Sequence, residues 1–147
     1  MSIKAVFFDL DDTLAATSEH DAQAFLAVQD HLVNQCHARF ARTRRLIKDF
    51  KTVLETYPLD PTSTMSVSRW RAGLWTRALQ VHRADNVQNA VELGCDLQNI
   101  FDTERLRRFC FKQDVPDLLR YLYRRNISAA IITNGHPQVQ RAKLRAC

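Results

Sequence analysis

Val6-Phe7-Phe8-Asp9-Leu10-Asp11-Asp12-Thr13-Leu14 decides how the chain is read, because an apolar run breaks off there into three carboxylates and a hydroxyl. Ile3, Ala5, Val6, Phe7 and Phe8 offer apolar side chains to both faces, the pattern of a central parallel strand covered by helices. Charge cannot continue inside such a layer. Asp9 and Asp11 are therefore expected where the strand leaves the sheet, at the carboxyl edge on which open α/β folds bind their ligands.

Two carboxylates two residues apart repel one another, at a cost that a cation or a shared proton relieves. Hard oxygen donors at a phosphate-handling edge suit Mg²⁺, which takes one or two protein carboxylates and completes its shell with water and substrate oxygens. The pair also supports two roles, one carboxylate attacking as a nucleophile while the other moves a proton. A plain acidic turn would explain the aspartates taken alone, but the complete string, closed by Thr13-Leu14, is more specific. It resembles the first motif of the haloacid dehalogenase (HAD) superfamily of phosphohydrolases, Asp-x-Asp-x-Thr after an apolar strand. That resemblance implies that Asp9 becomes the phospho-aspartate, that Asp11 is general acid and base, and that both are ligands of Mg²⁺.

The α/β rhythm returns at Asp114. Asp114 reads as an N-cap, Pro116 fits a first turn, and Val115, Leu118, Leu119 and Leu122 form one helical face before Asn126 ends it. Ile127-Ser128-Ala129-Ala130-Ile131-Ile132-Thr133 then reads as a second buried strand, ending in Thr133-Asn134-Gly135, with His136 and Pro137 opening a helix. Hydroxyl and backbone N–H groups in such a turn point where an anion would lie, aided by the helix dipole. Taken by itself, the stretch is equally an ordinary Asn-Gly turn. Paired with the first motif, it resembles the second HAD motif, and the resemblance implies that Leu10, Asp11, Thr133 and Asn134 hold the substrate phosphate. Gln138, Gln140-Arg141, Lys143 and Ala146-Cys147 extend the likeness toward phosphatases of that superfamily acting on sugar phosphates.

Between the two stretches, from about Ala16 to Lys112, no strand pattern appears. Phe25, Val28, Leu32, Cys36 and Phe40 predict one long amphipathic helix, with Ser18 and Asp21 at its start. Leu46, Ile47, Phe50, Val53, Leu54 and Tyr57 predict a second, stopped by Pro58 and Pro61. Val67, Trp70, Leu74, Ala78 and Val81 predict a third. Val87, Ala90, Val91 and Leu93 predict a shorter one stopped by Gly94, and Asp102 to Cys110 one more. The fold class expected is therefore α/β: a partial HAD-like Rossmannoid parallel sheet, residues 1–15 and 112–147, with an inserted all-helical cap, residues 16–111.

At 147 residues the chain is long enough for one domain with a real core. No stretch approaches the roughly 20 apolar residues of a membrane span. Ile3 to Phe8 runs into acids, not into a cleavage site, so a cytoplasmic protein without a membrane partner is expected. Cys36, Cys95, Cys110 and Cys147 form no Cys-x-x-Cys and the histidines no His-Glu-x-x-His, which argues against zinc and for reduced, mostly structural thiols. The net charge of +5 is largely arginine: Arg42, Arg44 and Arg45, then Arg105, Arg107 and Arg108, then Arg124 and Arg125. These read as solvated helix faces. A nucleic-acid partner would require a motif and interleaved aromatics, which are absent; the positive field favours a small phosphorylated substrate.

The resemblance also implies a charge-neutralising lysine and a later metal-binding acid, both well beyond the Thr-Asn-Gly strand. Lys143 follows Thr133 too closely for that lysine and, among Arg141 and Arg145, reads as another solvated position. With two parallel strands legible, the sequence looks like the N-terminal part of a larger protein. The function expected is a Mg²⁺-dependent phosphomonoester hydrolase. The competing expectations are a metal-free dehalogenase, against which Asp11 argues, and a catalytically inactive truncated HAD-like protein acting as an interaction module.

Overall fold

The structure, a computed structural model, describes residues 3–82 and 87–147. Strands β1 (Ala5–Phe8) and β2 (Ser128–Ile131) run parallel, with Ala5 opposite Ser128, Val6 opposite Ala129, Phe7 opposite Ala130 and Phe8 opposite Ile131. Parallel strands need a long crossover, and the residues between them supply one made of helices: α1 (Thr17–Asn34), α2 (Phe40–Thr56), α3 (Val67–Val81), α4 (Val87–Arg107) and α5 (Val115–Arg124). A last helix, α6 (Pro137–Ala146), follows β2. The α/β class with an all-helical insert is as expected.

The strands are more open than their composition suggests. Phe7 is 63% exposed and Ile132 61%, where a strand buried on both faces was expected. The reason is that, among the described residues, only one of the two faces of the sheet is packed. Phe8 and Ile131 turn to that face, against Leu10, Leu14, Ala15, Phe109 and Val115, with Leu119 of α5 and Leu144 of α6 beside them. Alternation then leaves Phe7 and Ala130 on the open side. α5 begins as predicted, with Pro116 in its first turn, but Asp114 already has helical dihedrals and makes no capping bond. Asn126 ends the helix in the left-handed region (φ 53°), which asparagine tolerates better than most residues.

Two boundaries of the insert differ from the sequence reading. Leu32, Cys36 and Phe40 keep helical spacing, yet the chain turns between them. Gln35 and Cys36 both donate to the His31 carbonyl, His37 goes left-handed (φ 52°), and Phe40 opens α2. Gly94, expected to stop a helix, lies inside α4 instead. A Cβ there would fall 2.8 Å from the Ala72 carbonyl oxygen and 3.0 Å from the Thr76 nitrogen, so the missing side chain is what lets α4 approach α3. The Val87 side chain, counted toward the shorter helix, lies outside the described residues.

The helical insert has its own core. Val28, Leu46, Ile47, Phe50, Trp75, Leu79, Leu97 and Phe101 pack together, and the Phe50 ring stacks on Trp75 with centroids 3.5 Å apart and planes 4° from parallel. Truncating either aromatic to alanine would cost about 3–5 kcal/mol. The chain divides into two compact units, Met1–Asp21 with Leu106–Cys147, and Ala22–Arg105. Of the arginine clusters, Arg105 departs from the solvated expectation: it is buried, its guanidinium 5.5 Å from the Phe101 ring centroid. Among the described residues the four cysteines form no disulfide, and they are exposed where structural thiols were expected. Among the described residues no helix is long and apolar enough to cross a membrane.

Candidate active site

β1 ends at Phe8 and β2 at Ile131, and these two residues face each other, so both strands leave the sheet at one edge. Asp9 is the first residue past β1 and Thr133 the second past β2. Asp9 is exposed, and its Oδ2 accepts from the Thr13 hydroxyl at 3.4 Å. Leu10 is fully buried and its carbonyl accepts the N–H groups of Leu14 and Ala15, each at 3.1 Å. With its side chain in the core, any role for Leu10 toward phosphate falls to its backbone. The turn is closed further by Asp12, left-handed at φ 58°, whose carbonyl accepts from the Lys112 amine. Asp12 Oδ1 and Oδ2 accept from the Ser18 N–H (2.8 Å) and hydroxyl (2.5 Å), which anchors the start of α1.

Asp11 turns inward. Its Oδ1 accepts from the Thr17 hydroxyl at 2.7 Å and from Lys143 Nζ at 2.5 Å, and its Oδ2 from Gln140 Nε2 at 2.7 Å. Gln140 Nε2 also donates to Thr133 Oγ1 at 2.6 Å, and Thr133 Oγ1 accepts the Gly135 N–H at 3.2 Å. Asn134 is exposed. Burial pushes the Asp11 carboxyl up, but the bonds from Lys143, Thr17 and Gln140 outweigh it and hold the group below its ordinary value. Asp11 is therefore a carboxylate at neutral pH. The bonds from Ser18 likewise hold Asp12 low.

Three of these residues were not among the sequence candidates. Thr17 stands in no sequence pattern, Gln140 entered only as part of the family likeness, and Lys143, expected on a solvated face, is 3% exposed and paired with Asp11. The correction has a physical cause: α6 has few apolar residues, so its period does not reveal its inner face, and burial of the ammonium is made possible by Asp11, distant in sequence. His136 caps the same helix, its Nδ1 accepting the Gln138 N–H at 3.3 Å.

Two free carboxylates were the expectation for magnesium. Asp9 offers one, while Asp11 Oδ1 is filled by Thr17 and the Lys143 ammonium group and Oδ2 accepts from Gln140. Among the described residues there is also no group of three or more His, Cys, Asp or Glu placed to hold a metal ion. As a two-carboxylate magnesium site, the residues present do not fit.

A parallel pair with an acidic loop at one strand end, a Thr-Asn-Gly turn at the other and a helical insert between them is the arrangement of a hydrolase family, and the chain belongs to it: the model of the haloacid dehalogenase-like hydrolases matches residues 3–147. Within that family it is similar to N-acylneuraminate-9-phosphatase, 32% identical to the rat protein over 148 residues and 28% to the human protein over 146. The alignments take in 99% of this chain and 56% of each relative, so the chain spans about half the length of the curated relatives it matches. Among solved structures, a 2-haloacid dehalogenase from Pseudomonas syringae pv. Tomato DC3000 superposes with a TM-score of 0.60 at 26% identity, over 95% of this chain and 59% of that one. A magnesium-bound HAD-hydrolase from Bacillus subtilis, YfnB, shares the fold at 15% identity with a TM-score of 0.58, over 99% and 60%.

Proposed function

We propose that the chain carries the nucleophile and phosphate-holding turn of a phosphomonoester hydrolase that works through an aspartyl-phosphate. The observation that carries the reading is the pairing of Phe8 with Ile131, since it brings the ends of the two motifs to one sheet edge. Asp9, exposed there, attacks phosphorus in line and displaces the alcohol oxygen. The Thr133 oxygen accepts two bonds, from Gln140 and Gly135, so its own O–H remains to donate to a phosphate oxygen. Asn134, Leu10 and the backbone around them complete the phosphate contacts.

Asp11 moves the proton. As a carboxylate it takes one from the water that hydrolyses the phospho-aspartate. The charge of an arriving phosphate raises its proton affinity, which suits it to protonate the leaving oxygen. Magnesium finds a single uncommitted carboxylate in Asp9, and an assay with and without Mg²⁺ measures that dependence directly. The substrate class proposed is a sugar phosphate of the N-acylneuraminate 9-phosphate kind, on the relatives' likeness.

The test is hydrolysis of p-nitrophenyl phosphate by the wild-type chain and by Asp9→Asn. Turnover in the first and none in the second is expected. Activity retained by Asp9→Asn removes the proposal.

A further inference from the structure

α6 is short, basic and mostly polar, the composition of a helix lying in water. Gln140 and Lys143 are nonetheless each 3% exposed, and three positions apart they share one face. Burying an ammonium group costs several kcal/mol unless a partner is close. Lys143 has Asp11 Oδ1 at 2.5 Å, with the Phe109 ring centroid 5.8 Å away. Gly135 makes room for the other side chain, because a Cβ there would lie 2.5 Å from Gln140 Cδ and 2.8 Å from Cγ.

The distribution of donors over Asp11 is uneven. Each carboxylate oxygen has about two acceptor sites. Oδ1 fills both, with Thr17 and Lys143, whereas Oδ2 fills one, with Gln140. An ionised carboxylate only accepts, so the amide nitrogen of Gln140 has to face it. Its second hydrogen goes to Thr133, and its Oε1 is left buried without a hydrogen-bond partner. For stability alone, apolar side chains of similar size would serve as well as this arrangement. What it achieves is orientation.

We infer that Gln140 and Lys143 are positioning residues: with Thr17 they fix the Asp11 carboxylate so that Oδ2 is the oxygen that gives and takes the proton, at a set spacing from the Thr133 hydroxyl. The inference rests on the phosphatase reading. In the first step a proton that the arriving phosphate monoanion has handed to Oδ2 passes on to the leaving alkoxide oxygen, whose bond to phosphorus is breaking. In the second, Oδ2 takes a proton from the water whose oxygen forms the new bond to phosphorus, releasing the Asp9 carboxylate. Lys143 keeps its protons throughout.

The discriminating measurement is kcat/KM on two substrates, because p-nitrophenolate leaves without help from an acid and a sugar alkoxide does not. Lys143→Met and Gln140→Leu are each expected to lower kcat/KM about 10–100-fold on glucose 6-phosphate and less than about three-fold on p-nitrophenyl phosphate. Lys143→Arg should recover part of the loss. If Lys143→Met fails to melt cooperatively, Gln140→Leu and Thr17→Val, which unpair no ammonium, carry the comparison. Equal losses on both substrates, or none on either, overturn the inference while Asp9→Asn remains inactive. A wild-type chain that hydrolyses neither substrate, or an active Asp9→Asn, overturns the phosphatase reading and this inference with it.

Discussion

Ile132 donates its backbone N–H to the Phe8 carbonyl at 2.9 Å, the last rung of the ladder before both chains leave the sheet. One residue further along each chain stand Asp9 and Thr133, so the register of a short parallel pair fixes which loops share an edge. Thr133→Val removes a hydroxyl that accepts from Gln140 and Gly135 while its proton stays available. A hydrogen bond to a charged group contributes about 1.5–3 kcal/mol. On p-nitrophenyl phosphate kcat/KM should therefore fall about 10–100-fold, with Thr133→Ser near wild type. An unchanged kcat/KM in Thr133→Val would mean that the hydroxyl does not touch phosphate.

The glycines of α3 and α4 make opposite predictions. Ala at an interior helix position gains about 1 kcal/mol over Gly. At Gly94 that gain meets the backbone of Ala72 and Thr76, which cannot swing aside, and overpacking costs about 1–3 kcal/mol. Gly94→Ala should lower the melting temperature by several degrees. Gly73, with nothing within 4 Å of a new Cβ, should respond to alanine with a modest rise. Shifts of the same sign in the two variants would contradict the close approach of α4 to α3.

Gln98 is 1% exposed, and neither its Nε2 nor its Oε1 has a hydrogen-bond partner. Unsatisfied buried polar groups cost about 1–3 kcal/mol each. Gln98→Met, close in shape and without those groups, should raise the urea midpoint of the helical unit. A lower midpoint would show that the amide is satisfied in solution.

Acid sensitivity follows from Asp12. Its folded carboxyl is held below its ordinary value of 3.8 by the Ser18 bonds, so the stability it contributes is present above about pH 3.8 and is lost as pH falls through the lower folded value. Asp12→Asn tolerates the left-handed backbone but lacks the charge. Melting curves of wild type and Asp12→Asn should be separated at pH 6 and draw together as pH falls below about 3.8. A constant separation would assign the whole effect to packing.

Much of the fold and of the candidate site was legible because the decisive residues are local. An apolar run breaking into Asp9 and Asp11, and another ending at Thr133, mark strand ends without reference to anything else. What escaped depends on contacts between distant segments. Lys143 is buried only because Asp11 is waiting for it, and no helical period shows that. Gly94 carries the same residue type as a helix stop, and only the proximity of Ala72 reveals it as a contact point. Cys36 and Phe40 kept an apolar stripe going across a turn, since spacing records rotation about an axis and not whether the axis continues. The openness of Phe7 reflects what packs on its face of the sheet, which the run itself cannot express.

The stacked Phe50 and Trp75 have a practical corollary. Both tryptophans of the chain, Trp70 and Trp75, belong to the helical unit Ala22–Arg105, while the unit bearing Asp9 and Thr133 contains only the tyrosines Tyr121 and Tyr123. Fluorescence excited at the red edge of the absorption band therefore reports on the unfolding of the helical half alone, without attaching a dye to it.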